Sequence, residues 1–153
     1  MKQVRSLFLC IILLCTTFAF PASAMEYPEG EQLVISQTIE DLGQGRYYIK
    51  TIYVPAVEPY SNAKTGTKTA QYINSGTIIY AISVTGTFTY DGSTSDATSA
   101  TCKITTYVEN ATILSRNAYT SGASAVATGS VSYNGATLQK TVTLTCDKNG
   151  NLS

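Results

Sequence analysis

The chain has 153 residues, of which 44% are hydrophobic and only 13% charged, with ten basic residues balancing ten acidic ones. That length fits a single core, and the lack of positive excess argues against a nucleic-acid or anionic-membrane partner. Histidine and tryptophan are absent, so a catalytic or metal site built on imidazole has no members to draw on.

The first element is an address. Lys2 and Arg5 precede an apolar run from Leu7 to Phe20, and Ala22-Ser23-Ala24 supplies a small-residue cleavage signature. Residues 1–24 therefore read as a secretory signal peptide, since the apolar run falls short of the ~20 residues a spanning helix needs. Cys15 sits within that run, but Leu14 occupies the position where lipid attachment would want a small residue. Cleavage after Ala24 is expected to release residues 25–153 as a secreted, extracellular chain with no membrane attachment, carrying eight basic against ten acidic residues. The acidic excess lies before residue 60, in Glu26, Glu29, Glu31, Glu40, Asp41 and Glu58, and reads as an acidic N-terminal arm.

Residues 25–32, MEYPEGEQ, have no apolar period and read as a flexible lead-in. Leu33, Ile35 and Ile39 then alternate, Leu42-Gly43-Gln44-Gly45 makes a turn, and RYYIKTIYV returns from Arg46 to Val54, so 33–55 is expected to be a hairpin. Pro55 and Pro59 lack the amide a ladder needs, which makes 56–65 a linker-like loop before the main domain at 66–153. Gly66–Ile73 is a weak strand, and Asn74-Ser75-Gly76 turns it into the longest alternating run of the chain.

That run, Gly76 to Gly92, puts Ile78, Tyr80, Ile82, Val84, Phe88 and Tyr90 in one phase and Thr77, Ser83, Thr85, Thr87 and Thr89 in the other. A period of two predicts a strand with one buried face and one wet face. The polar GSTSDATSA loop is expected to lead to a strand at 101–109 with Cys102, Ile104 and Val108 inward, and 110–121 to form an irregular edge strand. Small residues at Ala123, Ala125, Ala127 and Gly129 predict close approach of a facing sheet. Asn134-Gly135 is a type I′ hairpin signal. The final strand carries Ala136, Leu138, Val142, Leu144 and Cys146 inward, with Lys140 the exception, and Asn149-Gly150-Asn151 is expected to end the chain without a further element.

Seven to eight short strands with no amphipathic helix predict an all-β fold, an antiparallel β-sandwich. Cys10 and Cys15 would leave with the leader, so Cys102 and Cys146, both in the inward phase, are expected to form one disulfide, worth about 4 kcal/mol on the chain-entropy account. Two cysteines on distant strands suggest an immunoglobulin-like arrangement, although no tryptophan packs against them and Leu144 stands where that fold places tyrosine.

The stretches IEDLGQGRYYIKT, KTGTKTA, SVTGTFTYDGSTS and KTVTLTCDKNGNLS resemble those of small exported proteins of clostridia-like Gram-positive bacteria, a family of unknown function. The resemblance implies secretion and a single β domain, and brings no activity or site residue with it.

Three patterns could carry chemistry. Asp91-Gly92-Ser93-Thr94-Ser95 matches the D-x-S-x-S pattern of cation-binding adhesion sites, with Asp96 as a further oxygen donor for a hard cation; the plainer reading is a solvated turn, and no cofactor is expected. Paired carboxylates could serve a hydrolase, but Glu40, Asp41, Asp91, Asp96 and Glu109 have no convincing setting and no catalytic residue is assigned. Tyr80, Tyr90 and Tyr133 share the apolar phase and are expected in the core. Either Tyr47 or Tyr48 must face outward, and Tyr48 and Tyr107 are the candidate binding tyrosines. Asn110-Ala111-Thr112 matches a glycosylation acceptor, read as coincidence. The expected function is a non-enzymatic extracellular module for a protein or cell-surface ligand; the alternatives are a small carboxylate-dependent hydrolase or a bacteriocin-like or inhibitory factor.

Overall fold

A computed structural model describes residues 31–56 and 62–153. The expected signal peptide, nearly all of the expected lead-in and the centre of the linker-like loop lie outside the described residues.

Eight antiparallel strands follow one another: β1 (Gln32–Gly43), β2 (Arg46–Pro55), β3 (Ala63–Asn74), β4 (Thr77–Tyr90), β5 (Ser95–Thr106), β6 (Ala111–Ser121), β7 (Ser124–Tyr133) and β8 (Ala136–Thr145). They form a five-stranded sheet in the order β1-β2-β3-β4-β5 and a three-stranded sheet in the order β6-β7-β8. The turns follow from residues that tolerate positive φ. Ser75-Gly76 and Asn134-Gly135 both have φ above zero at both positions, the geometry whose twist matches the flanking strands. The 33–55 hairpin is hydrogen-bonded to β3 and so belongs to the larger sheet.

The sheets pack face to face, with β7 across β4 and β5, β8 across β3 and β4, and β6 beside β5. Tyr80, Phe88, Ile82, Val84, Val131 and Leu144 form the centre of the core. Gly86 and Gly129 set the spacing. A side-chain carbon on Gly86 would fall 2.6 Å from the Cβ of Ala125, and one on Gly129 would meet Ile82, Ile104 and the carbonyl of Ser115. The outward face of the larger sheet carries cross-strand hydroxyl pairs, Thr65–Thr87 at 3.2 Å, Thr67–Thr85 at 2.8 Å and Thr69–Ser83 at 2.8 Å, so the polar phase of β4 is half-buried rather than fully wet.

Several expectations need correction. Within each sheet every strand pairs with its neighbour in sequence, whereas an immunoglobulin-like sandwich has Greek-key connections, so that finer topology is not confirmed. Residues 95–100, expected as loop, pair with β4 as the first half of β5. A register shift between Tyr72 and Ile73 accompanies a change of core residue: Ile79 is buried, and Ile78 only half-buried. The chain end is not featureless, because Leu152 bridges back to Cys146 and Thr145 exchanges backbone hydrogen bonds with Ser153. The expected disulfide is not formed: Cys102 and Cys146 are free thiols. Both side chains do point into the fold, but β5 lies under β6 and β7 while β8 lies over β3 and β4, so β7 stands between the strands that carry or precede them.

β1 alternates as expected but buries neither phase: Leu33, Val34, Ile35, Ile39 and Leu42 are all exposed, Ile39 by 66%. The three-stranded sheet packs over β3, β4 and β5 rather than β1, and Lys140 of that sheet reaches across to Glu40 of β1.

Candidate functional site

The overhang of the larger sheet creates the site. Where β8 ends its cover, the inward faces of β2 and β3 run out from under it, and Lys50, Lys68, Ala70, Lys140, Thr141, Val142 and Thr143 line a cleft of about 250 Å³. Lysine reaches it from three strands because each stands in the inward phase. Lys50 alternates with Tyr48 and Ile52, Lys68 with Ala70 and Tyr72, and Lys140 with Leu138 and Val142.

One carboxylate answers two of these three ammonium groups. Glu40 lies opposite Tyr48 in the β1–β2 register, and its Oε2 meets Lys140 Nζ at 2.7 Å and Lys50 Nζ at 2.8 Å. The hydrogen bonds from Lys140 and then Lys50 hold the Glu40 carboxyl below the usual carboxylate range. Lys140 Nζ also stands 3.8 Å from the centroid of the Tyr48 ring, a cation–π contact. Lys68 has no such partner among the described residues; burial, and secondarily the charge of Lys50, lower its pKa.

A tyrosine cluster forms the floor beside Lys140. Tyr48, Tyr72 and Tyr80 stand in one cross-strand row, with ring centroids 5.3 Å apart for Tyr48–Tyr72 and 5.6 Å for Tyr72–Tyr80. The hydroxyls of Tyr48 and Tyr80 share a buried hydrogen bond of 2.7 Å. Burial pushes both phenols up, Tyr80 far above the ordinary value. A second cleft of about 350 Å³, lined by Ser115, Thr128, Ser130, Gln139 and Thr141 among others, lies on the other side of β8 and also touches Lys140.

The residues singled out in the sequence fare differently. Tyr48 does belong to the site, but as a buried ring and not as an exposed binding tyrosine; Tyr47 takes the outward position and is half-buried. Tyr107, expected outward on a strand, is half-buried just past β5, where its amide donates to Ile79. Tyr80 is in the core as expected, and Tyr90 and Tyr133 are half-buried against it.

Asp91, Ser93, Ser95 and Asp96 span a turn and the start of β5. Asp91 Oδ1 accepts from the amides of Ser93 and Thr94 at 2.8 and 2.7 Å, which lowers its pKa and identifies the segment as a side-chain-capped turn. Ser95 and Asp96 lie in β5, where consecutive side chains leave on opposite faces. Among the described residues no three His, Cys, Asp or Glu side chains group in a way that could hold a metal ion. Of the other carboxylates, Asp41 caps the amide of Gly43 at 2.7 Å, and Asp96 and Glu109 are exposed. Asn110 donates its side-chain amide to Asn134 at 2.6 Å.

Sequence reasoning missed Lys50 and Lys68. The signal was present, because each interrupts an apolar phase, as Lys140 visibly does; what was missing was that the three interruptions meet. Comparison with protein-family models, curated proteins and solved structures gives no match for this chain.

Proposed function

We propose that this is an exported, non-enzymatic binding module of the small-protein type it resembles in clostridia-like Gram-positive bacteria, acting outside the cell on a protein or cell-surface ligand through the lysine cleft. One observation carries the reading: Lys68 is held half-buried beside Lys50 with no carboxylate partner among the described residues. A buried charge without compensation costs stability, and a ligand supplying the missing charge would recover it. β2 and β3, which carry Lys50 and Lys68, are each paired on both sides, so these two lysines stand on a rigid support, which favours recognition.

The test is an array of envelope polymers, host-surface glycans and surface proteins probed with labelled residues 25–153. Saturable binding to at least one class, lost in Lys68→Met while the melting temperature is kept, is the expected outcome. A protein that binds nothing on the array, or binds equally well as Lys68→Met, would refute the reading.

A further inference from the structure

Resting on that reading, the geometry points to an anion site whose resident occupant is the chain's own Glu40: we infer that a phosphate or sulfate group binds between Lys50, Lys68 and Lys140 by taking over the ammonium groups that Glu40 holds.

The inference begins with the mismatch in the cleft. Three ammonium groups converge from β2, β3 and β8, and a single carboxylate meets two of them through one oxygen, Oε2. Lysine acts as a point charge with three donors and no preferred plane. Three of them approaching from different strands suit a tetrahedral anion with several acceptor oxygens better than one planar carboxylate.

Glu40 is also placed where it can give way. It lies on β1, an edge strand whose side chains are almost all exposed and which has register irregularities at Val34/Ser36 and at Asp41/Gly43. Its nearer partner lies in a better-packed part of the fold: Lys140 has a side-chain exposure of 14% and is held against the Tyr48 ring. A carboxylate on an exposed edge strand, set against a Lys140 ammonium packed on a ring, is the arrangement expected of an internal stand-in. When it leaves, Lys50 and Lys140 are free to join Lys68 around an external anion, and the cleft volume of about 250 Å³ accommodates such a group.

The charge arithmetic predicts the sign of an otherwise counter-intuitive effect. Glu40→Gln removes the competitor and leaves all three lysines, so it should strengthen anion binding even though it deletes two ion pairs. If Glu40 served only to fasten β1, the same change would loosen the strand and bring no specific gain.

The experiment titrates residues 25–153 with inorganic sulfate and, in a second arm, inorganic phosphate, at constant ionic strength with chloride as the balancing ion. Chemical shifts of the Tyr48 ring and the lysine side chains are followed by NMR. The third arm measures whether sulfate displaces a sulfated or phosphorylated polymer, which separates a polymer-borne group from the free ion as the natural source. Saturable binding at one site is expected, about tenfold tighter in Glu40→Gln, the equivalent of ~1.4 kcal/mol, and at least tenfold weaker in Lys68→Met. Equal affinity of Glu40→Gln and the parent chain, or full retention by Lys68→Met, overturns the inference. A ligand found on the array that binds through Lys68 but is not displaced by sulfate or phosphate also overturns it while leaving the module reading intact. Loss of both signals removes both.

Discussion

Tyr48→Phe and Tyr80→Phe offer the sharpest test of how the site's floor is built. The two hydroxyls share a 2.7 Å hydrogen bond in a setting where Tyr80 is 1% and Tyr48 5% exposed, so neither has water to turn to. Removing one oxygen keeps both rings and the Lys140 contact but strands the other hydroxyl. A buried polar group left unpaired costs about 1–3 kcal/mol, whereas removing both partners is nearly neutral. Each single variant should therefore lose ~1–2 kcal/mol, seen as a fall in melting temperature of roughly 3–10 °C for a domain of this size. The double variant should return to within about 0.5 kcal/mol of the parent, giving a coupling well outside the additivity expected of independent sites.

Alkaline pH extends the same cycle. Both phenols titrate above the ordinary value of 10.0 in the fold, so the folded chain keeps protons that the unfolded chain has released. Stability is then complete below about pH 10 and falls as the pH rises beyond it. The double variant should lose that part of the fall. Chemical denaturation at pH 7 and at pH 10.5 measures both effects. Strictly additive losses at neutral pH would refute the claim that the hydroxyls satisfy each other.

Three further outcomes follow from particular contacts. Gly129→Ala places a carbon against Ile82, Ile104 and the Ser115 carbonyl, and should cost about 1–3 kcal/mol through overpacking, read as a lower denaturation midpoint with an unchanged slope. Because its carboxyl is held below the ordinary 4.5, Glu40 contributes stability above that pH that is lost as the pH falls through the folded value; acid titration of the parent should show a component missing in Glu40→Gln. With free thiols at 102 and 146, alkylation followed by mass spectrometry should label both cysteines of the unfolded chain without reductant, and in the native protein Cys102 first, slowly, since burial pushes its thiol up. A chain labelled only after reduction would contradict the free-thiol arrangement.

The candidate site was the least legible part of the molecule. In the sequence Tyr48 reads as a candidate outward binding tyrosine and Lys140 as a charge in an apolar phase, and neither feature points to the other. They are neighbours because β8 crosses the end of a sheet that begins about a hundred residues earlier, and no local pattern encodes that crossing. The Asp91 segment shows a local preference of another kind. Its donor types suit a cation, yet the same carboxylate oxygen is an ideal acceptor for the amides two and three residues on, and the local turn satisfies it first. The cysteines show how far phase alone can carry: both sulfurs face inward as expected, and burial says nothing about which strand lies opposite.

What the sequence determined by itself is everything governed by near neighbours along the chain. Alternation from Thr77 to Tyr90 specified a strand and its buried side, paired positive-φ residues at Ser75-Gly76 and Asn134-Gly135 specified tight reversals, and the small side chains of β7 announced a close facing layer. Tertiary structure decided the rest: two consecutive meanders instead of an interleaved pair, a β1 that alternates yet stays exposed because the narrower sheet stops short of it, and three lysines lining one cleft, two of them paired with one glutamate. The physical reason is range. Backbone sterics and side-chain phase act over a few residues, while the way two sheets are offset depends on how their whole surfaces fit, with Gly86 against Ala125 and Gly129 against Ile82 and Ile104 fixing where the layers meet.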